Sequence, residues 1–219
     1  MKYYSQHGQD FWLEKEIKNL DNKYFVDIGA SHRSNGYMSN TLFFEQNYSW
    51  NGLLIEPNDN LHNPLKRRKS TLINKAAFRK NTTSRFQKNK IGAYSIINEK
   101  GNSEVLCETL NSILSKNNAP KFIDFLSVDT DGYEIDILLG IDFKEYSFDR
   151  IIIEHNGSAK TITKMLTDVG YKLIENFMYD LYFCREDFQN KPSCLAKEWR
   201  SLPNKAGLLN PEGQEYLYD

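Results

Sequence analysis

Apolar residues in this chain gather into short runs, and stretches of helical spacing separate them. Tyr24, Phe25, Val26 and Ile28 form the first run, aromatic and β-branched with no period-2 alternation, which predicts a strand buried on both faces. Before it, Trp12, Glu16 and Asn19 have helical spacing and predict a helix from about Gln9 to Asn19. After it, Ser39 or Asn40 is placed to cap a helix over Thr41–Gln46, whose apolar side is Leu42, Phe43 and Phe44. Gly52–Ile55 is the second apolar run; it ends in Glu56, and Pro57 stops it. A helix over about Asp59–Arg68 leads to a third strand near Thr71–Asn74, continued by Ala76, Ala77 and Phe78. From Thr82 to Gly101 the pattern breaks, which reads as a hairpin or a flap over a site.

Beyond the break the alternation resumes. Leu110, Ile113 and Leu114 mark a helix that ends before Pro120, and Phe122–Asp129 is the fourth strand. The turn Thr130-Asp131-Gly132 opens a helix carrying Glu134, Ile135, Ile137 and Leu138. Arg150–Glu154 is the fifth strand, followed by a helix with Ile162, Met165, Leu166 and Val169 that ends at Gly170 as its C′ residue. Tyr171–Glu175 and Tyr179–Cys184 read as a closing hairpin around Asn176. Strand and helix alternate, so the expected fold is α/β, with a doubly wound, mostly parallel sheet and an antiparallel edge hairpin. The expected organisation is a helical cover over 1–22, a central domain over 23–184 and a docking tail over 185–219.

Composition narrows the field. The 219 residues carry Lys+Arg 28 against Asp+Glu 29, a net charge of −1, which gives no electrostatic reason to expect nucleic acid as a partner. The one basic run, Lys66-Arg67-Arg68-Lys69, reads as a solvated helix end. Cys107, Cys184 and Cys194 have no paired spacing and fit a reducing compartment rather than a disulfide framework or zinc knuckle. The opening MKYYSQHGQDFWLEKE lacks the apolar core of a secretion signal, and no stretch is long and apolar enough for a membrane span. The expected location is cytoplasmic; the oligomeric state is left open.

Candidate chemistry sits at the strand ends. Asp27 with Gly29, Glu56, Asp129 with Asp131 and Glu134, and Glu154-His155-Asn156 each follow or close an apolar run. In a parallel sheet these ends emerge along one edge, where ligands bind. Crowded carboxylates raise one another's pKa unless a cation or hydrogen-bond donors intervene, so four such ends point to a cation or to ligand hydroxyls and amines. Glu56, at the tip of the second strand, is placed to accept both hydroxyls of a ribose. After Gly29 comes A-S-H-R-S-N-G, which lacks the second and third glycines of a dinucleotide fingerprint, and no P-loop motif occurs. A cofactor with a ribose but no phosphate fits, and S-adenosylmethionine is the common one.

With these pieces assembled, the chain resembles the FkbM-type methyltransferases, S-adenosylmethionine-dependent enzymes with a seven-stranded Rossmann-like sheet. SQHGQD (5–10), FVDIGA (25–30), SNTLFFE (39–45), GLLIEP (52–57), DFLSVDTDGYEIDIL (124–138) and IIIEHN (151–156) carry the resemblance, over about Ser5 to Cys184. It implies that Asp27, Gly29 and Ala30 line the methionine and ribose part of the cofactor and that Glu56 holds the ribose. Ser39 and Asn40 support the methionine end, Ala76 borders adenine, Asp129 lies close to the methyl group, and Gln9, with His7 in the same motif, closes over the cofactor. Two departures stand out: Ser31-His32-Arg33 replaces the usual Asn-x-Gly, and Asp131 replaces the usual Glu before Gly132.

The acceptor class that the resemblance implies is a sugar hydroxyl, in a nucleotide-sugar or surface-glycan pathway. Such a hydroxyl needs help to lose its proton; Asp129 is the first candidate base and His155 the second. Asp131, Glu154 and His155 also resemble the ligand set of metal-dependent sugar O-methyltransferases, which implies Mg or Mn. The alternative is that these acids bind substrate hydroxyls directly. N-methylation of an amino sugar or other amine, and a silent nucleotide-binding module, are the rival readings. Tyr94 and Ser95 are candidate acceptor contacts in the flap. Trp12, Trp50 and Trp199 read as packing, and His62 as surface.

Overall fold

The computed structural model describes residues 2–31, 38–88, 96–97 and 99–185. Seven strands form the main sheet: β1 (Tyr24–Ile28), β2 (Asn51–Ile55), β3 (Thr71–Ile73), β8 (Phe122–Val128), β9 (Ser147–Glu154), β10 (Tyr171–Phe177) and β11 (Asp180–Arg185). Their order is β3-β2-β1-β8-β9-β11-β10. All neighbours from β3 to β9 pair in parallel; only β11, wedged between β9 and β10, runs antiparallel to both. This is the order of a Rossmann-like sheet with its last strand turned back inside the edge. The expected closing hairpin is present, but its turn falls at Met178-Tyr179 rather than at Asn176.

The central strands are unbroken apolar runs because both faces are covered. Val26, Ile28, Leu126, Val128, Ile151 and Ile153 pack with α4 (Leu110–Lys116), α5 (Glu134–Leu139) and α6 (Ala159–Thr167). Phe25, Leu54, Phe125, Ile152 and Tyr182 face the other way, against α1 (Gln9–Glu16), α2 (Leu42–Asn47) and Leu65 of α3 (His62–Leu65). Trp12 and Trp50 are buried in this second core, as their packing role predicts, and Trp50 donates to the Leu20 carbonyl. Trp199 and Cys194 lie outside the described residues. Cys107 and Cys184 are buried and free.

The broken stretch after β3 is a second, four-stranded sheet. β4 (Ala76–Ala77), β5 (Thr82–Gln87), β6 (Ile96–Ile97) and β7 (Ser103–Glu108) lie in the order β4-β7-β5-β6. The stretch read as a hairpin holds two antiparallel strands of this small sheet, β5 and β6, and β7 beyond it had no sequence counterpart. Three smaller expectations also change. The first helix stops at Glu16 because Ile17 is extended, and the helix after Pro57 is a 3-10 turn (Asp59–Leu61) followed by the short α3. The basic run is a solvated helix end only in part: Lys66, Arg67 and Lys69 are exposed after α3, but the Arg68 side chain is buried and holds the Glu45 carboxylate at 3.1 Å.

Candidate functional site

β1 is the point where the chain reverses its order across the sheet, with β2 on one side and β8 on the other. A crevice must open above such a switch point. It does: a cavity of about 440 Å³ spans the carboxyl ends of β1, β2, β8 and β9, within the ~300–1,000 Å³ of small-molecule sites. Its floor is the β1–β8 seam. Asp129 N–H donates to the Ile28 carbonyl at 3.0 Å and closes the ends of β1 and β8 on each other, while Gly29 N–H donates to the Ile55 carbonyl at 2.9 Å and ties the end of β1 to β2.

The two ends of the cavity differ in chemistry. One is apolar, lined by Ile55, Pro57, Leu61, Ala76, Phe86 and Ile97. The small sheet supplies part of it, and the Tyr133 hydroxyl ties α5 to that sheet by donating to the Ile97 carbonyl. Between the two ends stands Glu56. Its carboxylate accepts from Asn58 N–H at 2.5 Å, its backbone N–H donates to the Ile73 carbonyl, and its carbonyl accepts from His62 Nε2. His62 is therefore buried, not on the surface, and this bond fixes Nε2 as its protonated nitrogen. Burial first, then the charges of Asp131 and Asp27, push the Glu56 carboxyl up to about 8.

The other end is acidic. Glu154 and Asp180 are direct partners across β9 and β11, and Asp129 follows the Val128–Ile153 pair on β8. Paired residues leave the same face of a sheet, so Asp129, Glu154 and Asp180 form a row across three strands. All three line the cavity, as does Asp131. Asp129 stands deep in the protein with its surface open to the cavity. Burial, then Glu154, Asp180 and Asp131, hold its carboxyl well above the usual range, and it shares a hydrogen bond with Glu154. Asp180 is pushed up to about 8 by burial and by Glu154.

The family pattern of the FkbM methyltransferase domain matches residues 27–173, more than half of the 219-residue chain. The chain belongs to this family. No curated protein sequence matches it.

The expected site residues divide sharply within this FkbM domain. Gln9, Asp27, Gly29, Asn40, Glu56, Ala76 and Asp129 line the cavity. Ala30 and Ser39 do not: both are fully buried behind its wall. The Ser39 hydroxyl accepts from Leu42 N–H at the start of α2 and from Arg68 Nη1 at 3.0 Å. Arg68 also reaches Thr41, whose hydroxyl donates to Asp27 at 2.7 Å, so Ser39 serves the support of Asp27. Asn40 donates to Ser127 while facing the cavity.

The SQHGQD motif both pins a helix and reaches the cavity. Asp10 is buried and accepts from Tyr4 N–H, Ser5 N–H and Oγ, and Phe11 N–H, which pins the start of α1. Gln6, His7 and Gln9 then line the cavity, and Gln9 Nε2 donates to Asp180 at 2.8 Å. Burial pushes His7 down to about 4, so it is neutral.

The metal set is not assembled. Glu154 and Asn156 face the cavity, but His155, the first residue past β9, does not line it. Instead, His155 Nδ1 accepts from Gly157 N–H at 3.2 Å, and the His155 backbone N–H donates to the Tyr179 carbonyl. Among the described residues no group of three or more His, Cys, Asp or Glu is placed to hold a metal ion. Asp131, Glu154 and His155 thus do not fit Mg or Mn, and the same orientation removes His155 as a base. Glu134, grouped with the strand-end acids, is a structural clasp: it accepts from Thr130 N–H, Gly132 N–H and Asn156 Nδ2. Ser31 lines the cavity, whereas His32, Arg33, Tyr94 and Ser95 lie outside the described residues. Sequence reasoning missed Asp180; only the register that sets it opposite Glu154 reveals it.

Among the described residues no helix is long and apolar enough to cross a membrane.

Proposed function

We propose that this FkbM methyltransferase uses S-adenosylmethionine on a doubly wound scaffold and methylates a sugar hydroxyl. The observation that carries the reading is one cavity at the carboxyl ends of β1, β2, β8 and β9 whose lining joins Gly29, an apolar set from β2 and the small sheet, the buried Glu56 and the acids of β8, β9 and β11. The apolar end around Ala76, Pro57 and Phe86 suits adenine. Glu56 suits the ribose, whose two hydroxyls donate to a carboxylate that already accepts from Asn58 N–H. Asp27, Gly29 and Asn40 fit the methionine part, and Gln9 covers the acidic end. When bound, the cofactor supplies a methyl group on a sulfonium, electrophilic enough for in-line transfer to oxygen.

The protein then has two tasks. It must hold the acceptor oxygen ~3–3.5 Å from the methyl carbon and in line with the sulfur, and it must accept the hydroxyl proton. Asp129 is the base in this reading, working as a pair with Glu154. Two acids joined by a hydrogen bond hold one proton and one charge between them. Their raised pKa brings that charge closer to the basicity a hydroxyl needs than an ordinary carboxylate would.

Calorimetric titration with S-adenosylmethionine tests the cofactor assignment. Glu56→Ala is expected to weaken binding at least 10-fold, and unchanged affinity removes Glu56 from the ribose. Asp129→Asn, with binding retained, is expected to lower kcat ~10²–10⁴-fold on an accepted sugar.

A further inference from the structure

The acidic end carries information about the acceptor that the methyl-transfer chemistry does not require. One base suffices for a hydroxyl proton, yet Asp129, Glu154 and Asp180 stand side by side on three neighbouring strands. Like charges directly opposite across a ladder oppose folding, and Glu154 and Asp180 are such a pair. Besides the hydrogen bond that Glu154 shares with Asp129, this pair receives neutral amides: Gln9 Nε2 on Asp180 at 2.8 Å and Asn156 Nδ2 on Glu154 at 2.5 Å. Among the described residues that line the cavity there is no Lys and no Arg. Arg68, which supports Asp27 through Thr41, is turned into the core and committed to Glu45, Ser39 and Thr41. An acceptor bearing phosphate or carboxylate at this end meets acids with no counter-charge. An acceptor bearing an ammonium group meets the charge that the row lacks.

Resting on the reading of this cavity as a methyl-transfer site, we propose that the acceptor is a polyhydroxylated amine of the amino-sugar class. Its ammonium group docks against Asp180 and Glu154, and its neighbouring hydroxyl faces Asp129. Phosphorylated and carboxylated sugars are discriminated against, and a nucleotide sugar, with its pyrophosphate, is the wrong partner for this end. The raised carboxyl of Asp180 agrees with the geometry: it is an acid held without a cation and ready for one.

Three probes matched in ring size separate the outcomes: glucosamine, glucose and glucuronic acid. Each is titrated at pH 7.5 into the full chain, with and without S-adenosylhomocysteine. Glucosamine is expected to bind at least 10-fold tighter than glucose, with glucuronic acid weakest. Asp180→Asn narrows the glucosamine-to-glucose ratio about 10-fold, and Glu154→Gln narrows it similarly, so the test does not depend on one variant folding. Equal affinities, a preference for glucuronic acid, or no binding of any of the three overturns the proposal. A preference for glucosamine that persists while S-adenosylhomocysteine fails to bind supports this inference and counts against the cofactor assignment instead.

Discussion

At Gly29 the backbone has φ +79°, and a Cβ there would lie 1.7 Å from the Asp129 carbonyl oxygen. The sequence presents this glycine as a loop residue that lets a cofactor approach. The structure gives it an earlier duty: it lets the end of β8 close against the end of β1, which sets Asp129 above the cavity floor. Two penalties therefore meet in Gly29→Ala. A side chain in the left-handed region costs ~1–2 kcal/mol, and the clash with a backbone carbonyl cannot be relieved by a rotamer change. We expect a loss of ~3 kcal/mol or more in urea unfolding, with cofactor binding lost in whatever folds. An Ala variant of near-native stability would mean that the β1–β8 seam is looser than its hydrogen bonds indicate.

At the scale of elements, what the sequence made legible were the strands with both faces covered. β1, β2, β8 and β9 each carry a buried apolar run, and an acid marks the carboxyl edge of each: Asp27 within β1, Glu56 and Asp129 just past β2 and β8, and Glu154 closing β9. β7 escaped notice because its half-exposed alternation, Ser103 to Glu108, belongs to a different sheet and sits beside broken sequence. Asp180 was hidden for another reason: it opens a strand that runs backwards, so it reaches the carboxyl edge from its own amino end. Arg68 looked like one of four solvated cations, yet it joins α2 to the segment before β3 and supports Asp27 through Thr41. Burial alone would raise the Glu45 carboxyl; Arg68, with Ser70 and the Lys69 N–H, brings it below its ordinary value. Arg68→Met would leave Glu45 buried without its cation. A loss of ~3–5 kcal/mol is expected, and adding Glu45→Gln should recover part of it; a double-mutant cycle in urea measures the coupling.

Over the whole molecule, a net charge of −1 conceals a strong local imbalance. Glu56 and Asp180 are both pushed up to about 8, and Asp129 stands well above its ordinary value in the same cavity. An acid whose pKa is higher folded than unfolded binds more protons in the native state. Its stabilising effect is complete below the unfolded value, near 4, and is lost as pH rises through the folded value. His7 works the other way: held at about 4, it makes stability rise with pH until the unfolded value near 6.5, and has no further effect above that. Between about pH 6.5 and 9 only the acids act, so the ligand-free protein should lose stability across that window, by an amount on the order of a few kcal/mol. Urea midpoints at pH 6.5 and pH 9 measure it. Glu56→Gln and Asp180→Asn should each reduce the slope and raise stability at pH 9, because each keeps a hydrogen-bonding side chain and removes a charge the fold disfavours. A midpoint that is flat or rising over this range would mean that the acids keep enough water or counter-charge to ionise freely, and the cavity would lose its claim to be a site awaiting donors and a cation.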